Sequence, residues 1–327
     1  MEKWLSFIVP VYNAERYLPE CIDSLLNQNF PQDKYEIILF DDSSVDGSLY
    51  IAKEYAQKYS NIRVFTHINA GTSETRNAAL ENAVGEYVWF IDNDDHITID
   101  ILPILHGYTQ KYNLDILIFD AIRFKGEIHW KMADFAIRDT PVLSGQNAYL
   151  GFYYDVVPWN KIFRREFLNV NKLRFFQKLA EDCELSTRCF YHAQRVKAVA
   201  VDAYYYRIID QSVSHDVKNK KKYIYYLLEC LNNHFKYMIA GHPAQKFWMR
   251  AFVHDIRRIH IWLEGEGCTS RERYDFIQKE KVILKEIMKH LSIFLSIDFI
   301  VLFIASFSPF FILKAQRILR TAKKILK

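Results

Sequence analysis

Short apolar runs and amphipathic stretches take turns along the chain as far as Asp216. Residues 5–11 (LSFIVPV) are apolar and rich in β-branched side chains, the pattern of a buried strand. Residues 15–28 follow, with Leu18, Ile22, Leu25 and Leu26 at helical spacing. The same alternation predicts strand 36–40, helix 47–59, strand 62–66, helix 72–84 and strand 86–91. Further strands are expected at 114–119 and 196–206, with a helix at 180–192. Strands alternating with helices imply an α/β fold with a mostly parallel sheet and helices on both faces. In such sheets ligands bind at the carboxyl ends of the strands. Pro10–Asn13, Asp41-Asp42 and Asp92–Asp95 each follow a strand end, so they are expected to converge on one rim.

Beyond Asp216 the pattern changes to long helical segments at 220–240, 244–264 and 271–290. Three parts are therefore expected: a catalytic domain at 1–216, a helical region at 217–290 and a tail at 291–327. In the tail, Leu291–Leu313 is overwhelmingly apolar and contains Asp298, four serines and Pro309. Lys314–Lys327 carries six basic residues and no acidic one. Its apolar positions fall on one helical face, the pattern of a basic amphipathic helix on an anionic membrane surface. Basic residues flank both ends of the apolar stretch, so a monotopic or re-entrant insertion fits better than a single span. A hydrophobic helix packed on protein is the plainer alternative.

Composition narrows the classes. Among 327 residues half are apolar, enough for a substantial core, and the net charge is only +4. With no dense basic stripe in the folded region, nucleic-acid binding is not expected. Five cysteines are scattered, odd in number and without a paired CxxC spacing, which argues against a disulfide framework or a zinc site. The start, Met-Glu-Lys-Trp, enters a strand-like run without a signal-peptide pattern, so a cytoplasmic location, peripheral at the membrane, is expected.

The chemistry concentrates at Asp92-Asn93-Asp94-Asp95, where the apolar stretch 86–91 ends. Carboxylates this crowded repel unless a cation sits among them. Hard oxygen ligands suit Mg²⁺ or Mn²⁺, often shared with substrate phosphates. The competing reading is a solvated turn with capping aspartates.

Six segments stand in one order: SFIVPVYNAERYLPECIDSLLNQ, FDDSSVDGS, NAGTSETRNAAL, GEYVWFIDNDD, PWNKIFRREF and LAEDCEL. In these the chain resembles the inverting family 2 nucleotide-sugar glycosyltransferases of GT-A fold, over residues 5 to about 215. It looks most like bacterial members that build surface polysaccharides. The resemblance implies a nucleotide-sugar donor, UDP-linked first among the choices, and a saccharide or lipid-linked acceptor at the inner face of the cytoplasmic membrane. It implies a donor site drawn from Pro10, Tyr12, Asn13, Asp41, Asp42, Asn69, Gly71, Arg76, Asp92 and Asn93. Arg76-Asn77 match an Arg-Asn pair of the family, while Glu74 and Thr75 depart from the small residues often found just before it.

Asp92-Asn93-Asp94 matches the family's Asp-x-Asp motif, which implies Mn²⁺ or Mg²⁺ on Asp94, with Asp92 beside it. Asp182, after Glu181, matches the general base. The resemblance further suggests an acceptor contact at Glu181. Trp159 reads as a sugar-stacking platform or as core, and Lys161 as a polar acceptor contact. His215 is a possible third metal ligand or phosphate contact, although a lone histidine is more often structural. Two rivals stay open: a nucleotidyltransferase-like enzyme, which lacks support from any Gly-rich phosphate loop near the first strand, and an inactive sugar-binding or scaffold protein of an export complex.

Overall fold

The computed structural model describes residues 2–131, 138–151, 156–176 and 181–209, with scattered positions between 226 and 255. The chain divides into two compact units after Asp210, a few residues before the boundary expected near Asp216. His215, the segments 256–290 and the tail 291–327 lie outside the described residues. Among the described residues no helix is long and apolar enough to cross a membrane.

The first unit is a nine-stranded sheet. It begins with β1 (Leu5–Val11), α1 (Leu18–Leu26), β2 (Tyr35–Asp41), α2 (Ser48–Lys58), β3 (Ile62–Thr66), α3 (Thr72–Asn82) and β4 (Tyr87–Phe90). These four strands are parallel and ordered β3-β2-β1-β4. The chain winds outward through β1, β2 and β3, then returns to place β4 on the other side of β1. That reversal is the switch point at which open α/β sheets bind ligands.

The sheet then becomes mixed. After β5 (His96–Ile97) and α4 (Leu102–Tyr112) come β6 (Ile116–Lys125), β7 (Ile128–Lys131), α5 (Gly145–Gly151), β8 (Lys161–Arg164), α6 (Arg165–Val170), α7 (Glu181–His192) and β9 (Val196–Arg207). β8 lies antiparallel between β4 and β6, and β9 runs parallel to β6. Two reversals make β6 and β9 parallel to β4, so their carboxyl ends reach the same rim.

β1, β2 and β4 are buried along their whole length, which is why they read as continuous apolar runs. Alternation splits their side chains between two faces. Phe7, Val9, Ile37, Leu39 and Trp89 join a core with Leu18, Ile22 and Leu25 of α1 and Leu102 and Leu105 of α4. Ile8, Ile38, Val88 and Phe90 fill the other face, where α3 brings Ala79 and Leu80. Trp89 is fully buried and donates from Nε1 to the Trp159 carbonyl at 2.6 Å. Truncating such a side chain costs about 3–5 kcal/mol.

The opposite rim is stapled by a buried carboxylate. Glu36 accepts from Ser6 Oγ at 2.6 Å, from the Val84 N–H at 2.8 Å and from Arg63 at 2.9 Å. The Gly85 N–H donates to Ser6 Oγ at 2.8 Å. A Cβ on Gly85 would stand 2.5 Å from the Ser6 nitrogen, so only glycine fits this approach.

In the second unit, His234 Nδ1 and Asp255 Oδ2 lie 2.6 Å apart, and both side chains are buried. The described positions there are almost all helical.

Candidate active site

The ends of β1 and β4 are tied directly together. Asn93 donates from Nδ2 to the Pro10 carbonyl at 2.8 Å. Beyond Pro10 the chain turns through Asn13, whose φ of 48° lies in the left-handed region that Asn tolerates. Asn13 donates its N–H to Ser44 Oγ and accepts from the Val45 N–H at 2.9 Å, which couples the loop after β1 to the loop after β2. Tyr12 stands half exposed beside them.

Asp41 and Asp42 are buried beneath these loops. Asp41 accepts from the Ser44 N–H at 3.2 Å. The Asp42 carboxylate accepts from the Ala70 and Gly71 N–H groups at 2.7 and 2.9 Å, and His67 Nε2 lies 2.9 Å away. Asn69 donates to the Asp42 carbonyl at 3.1 Å. Gly71, at φ 91°, takes the turn that opens α3. Asp42 therefore shapes the loop 67–71.

The four residues at the end of β4 divide their work. Asp95 is buried and accepts from Tyr204 Oη and from the Arg207 N–H, both at 2.7 Å. Burial, then the neighbouring Asp94 and Asp92, push its carboxyl well above the usual range. The Asp92 N–H donates to Tyr204 Oη at 3.2 Å. Arg207 donates from Nε to the Asp94 carbonyl at 2.7 Å and from Nη2 to Glu20 at 2.5 Å. Asp94 has its carboxyl pushed up to about 6, by burial first and by Asp92 second. Among the described residues, no side chain donates to its carboxylate or forms an ion pair with it. An uncompensated carboxylate beside a second one fits a hard divalent cation. Among the described residues no cluster of three ligating side chains forms.

Arg76 joins this strand end to α7. Its Nη2 lies 2.7 Å from Asp92 Oδ1 and its Nη1 lies 2.9 Å from Glu181 Oε1. The guanidinium is 6% exposed and sits 5.2 Å over the Phe175 ring. Burial draws its pKa down, but Asp92 and Glu181 outweigh that and raise it. Glu181 is pushed up to about 7: burial outweighs Arg76, and Asp182 adds repulsion. Asp182 occupies the first turn of α7 and accepts from the Cys183 N–H at 2.8 Å. Asp92, Arg76, Glu181 and Asp182 thus form one charged chain, though the sequence separates its ends by ninety positions (182 minus 92). Arg76, expected at the donor site, is thus held by two carboxylates.

Burial decides between the two readings of Trp159 and overturns the one for Lys161. Trp159 is inside the protein, stacked on Tyr204 at 4.7 Å and on Tyr206 at 5.5 Å, so it is core and not a sugar platform. Lys161 is wholly buried and donates to the Val157 carbonyl at 2.6 Å and to Asn160 Oδ1 at 2.7 Å, so it is not an exposed acceptor contact. The sequence reading also passed over Glu20, His67, Tyr204 and the role of Arg207. Strand 196–206 ends in Tyr-Tyr-Tyr-Arg, and the carboxyl-end rule would have placed those residues on this rim.

The comparisons agree with this geometry. The profile described as Glycosyl transferase family 2 matches residues 6–170. A poly(ribitol-phosphate) beta-glucosyltransferase of Bacillus spizizenii is 31% identical over 216 residues, 64% of this chain and 33% of the relative, so the chain spans about a third of that protein's length. The uncharacterized glycosyltransferase YibD of Escherichia coli is 30% identical over 286 residues, 82% of each chain. The crystal structure of Staphylococcus aureus TarS 1-349 in complex with UDP-GlcNAc superposes with a TM-score of 0.60 at 23% identity, over 88% of this chain and 92% of that one, which shows the shared fold. With a family profile over half its length and a relative matched along most of it, the chain belongs to glycosyl transferase family 2.

Proposed function

We propose that the chain transfers a sugar from a nucleotide diphosphate, UDP in the first instance, to an acceptor hydroxyl, with inversion at the anomeric carbon. The observation that carries this is the Arg76 bridge. One buried guanidinium holds Asp92 of the Asp-x-Asp strand end and Glu181 beside the proposed base, Asp182. Two carboxylate groups with different tasks therefore face one rim. The family membership supports the reaction class. The UDP-GlcNAc complex of the structural neighbour supports the donor class.

Asp94, with Asp92 beside it, would hold Mn²⁺ or Mg²⁺. Such an ion, when bound, offsets negative charge on a departing diphosphate. The nucleotide would lie over the loops after β1, β2 and β3, against exposed Tyr12, with Asn13, Asn69 and Gly71 shaping the floor. Asp182 takes the acceptor proton as the hydroxyl attacks from the face opposite the diphosphate. Asp182 lies in the first turn of α7. Burial pushes the Glu181 carboxyl up to about 7 against the pull of Arg76, which weakens its negative charge beside Asp182.

The acceptor is a saccharide or lipid-linked hydroxyl at the inner face of the membrane. The basic, apolar tail supports that reading, since tethering enzyme and acceptor to one surface raises their effective concentration. Isothermal titration of UDP with and without Mn²⁺ tests the core of the proposal. Metal-dependent binding that is lost in Asp94→Ala is expected; metal-independent or absent UDP binding refutes the donor assignment.

A further inference from the structure

The helix α3 bears on the proposed base through more than Arg76. Asn77, the next residue, uses both halves of its amide on one backbone unit. Nδ2 donates to the Phe175 carbonyl at 2.8 Å, and Oδ1 accepts from the Phe175 N–H at 2.9 Å. This two-point clamp copies a strand pairing with a side chain. One turn further along α3, Glu81 takes Arg174 at 2.6 Å. Arg188 of α7 donates to the Arg174 carbonyl at 2.6 Å. The Phe175 ring is 1% exposed, sits under the Arg76 guanidinium and meets Phe90 of β4 edge to face at 5.2 Å.

We infer that Asn77 is a positioning residue: together with Arg76 it sets where Asp182 stands relative to the carboxylates of β4. The inference rests on the reading of Asp182 as base. Six residues lie between Phe175 and Asp182. α3 holds Phe175 through Asn77 and Glu181 through Arg76, the contacts on either side of that stretch. Both grips come from adjacent residues of one helix, so α3 sets the Asp182 position in the same frame that holds Asp92. Asn77 thereby acts on the base side of the reaction.

Asn77→Ala in the full-length chain tests this, with Asn77→Asp as a milder variant that keeps the acceptor for the Phe175 N–H and loses the donor. Amide hydrogen exchange read by mass spectrometry is expected to speed at least tenfold at 173–176 and in the first turn of α7, and to stay unchanged in β1. UDP affinity in Mn²⁺ should stay within twofold, while UDP release from UDP-N-acetylglucosamine or UDP-glucose with acceptor slows tenfold or more. Unchanged exchange at the start of α7 overturns the inference, as does UDP affinity falling in step with turnover. A wild-type chain that releases no UDP counts against the proposed reaction alone, and the exchange measurement still decides the positioning. Should Asn77→Ala fail to fold, Asn77→Asp carries the same readouts, at a smaller amplitude.

Discussion

Replacing Arg76 with methionine removes the one cation that Asp92 and Glu181 share. Taking one partner from a buried ion pair costs about 3–5 kcal/mol, because a charge is left behind. Two features of this site lower the cost. The Asp92 side chain keeps 29% exposure and so some hydration. Glu181, whose carboxyl is already at about 7 with Arg76 present, takes up a proton once the guanidinium is gone. The loss is then near the lower bound, about 3 kcal/mol at neutral pH. For a unit of this size that lowers Tm by about 6–12 °C. The sign with pH follows from Glu181. Its folded pKa lies above the unfolded one in both proteins, and further above in the variant. As pH rises past about 7 the variant must strip a more tightly held proton, so its deficit against wild type grows; as pH falls below 7 the deficit shrinks. Circular dichroism melts at pH 8 and pH 6, in chelator, measure both. A Tm loss under about 2 °C, or an equal loss at the two pH values, refutes the reasoning.

Asp182→Asn should abolish sugar transfer while UDP affinity in Mn²⁺ stays nearly intact; retained turnover would reject Asp182 as the base. The Asp94 carboxyl titrates at about 6 against an ordinary 3.8, so the folded state takes up the proton first as pH falls. Stability without metal therefore rises through that window while Mn²⁺-dependent UDP binding declines, and calorimetric titrations at pH 7.5 and 5.5 check the second effect; equal affinities would mean that Asp94 is not the ligand. Gly85→Ala forces a Cβ against the Ser6 backbone and should cost about 1–3 kcal/mol, read as a lower urea midpoint with an unchanged slope.

β1, β2 and β4 were legible because they are buried on both faces and leave nearly continuous apolar runs, whereas the edge strand β3 is mostly half-buried. β3 was read at its observed bounds, Ile62–Thr66. α1 was read as starting at 15 but begins at Leu18, where Pro19 can sit in the first turn without an unmet N–H. The second half of the sheet was harder. β8 is the four residues Lys-Ile-Phe-Arg, too short to show a period, and its lysine is buried against all expectation for that residue type. α4 carries Pro103 and Gly107, which mask its helical spacing. At the site, residue types identified the carboxylates, but the division among them is tertiary. Nothing local distinguishes Asp95, which holds β9, from Asp94, whose carboxylate forms no ion pair among the described residues. The pairing of Arg76 likewise depends on α7 arriving 105 residues later.

That dependence on late-arriving chain sets an order of assembly. Asp95 is held by Tyr204 and Arg207 across 109 and 112 positions, and the Asp94 carbonyl by Arg207 across 113. Chains emerge from the ribosome amino end first, so β1 to β4 have their partners before β9 has been made. The Asp-Asn-Asp-Asp string is then present without the residues that give it shape. The rim closes only when the last strand of the sheet is laid down, and a nascent or prematurely ended chain lacking β9 carries the motif without the site.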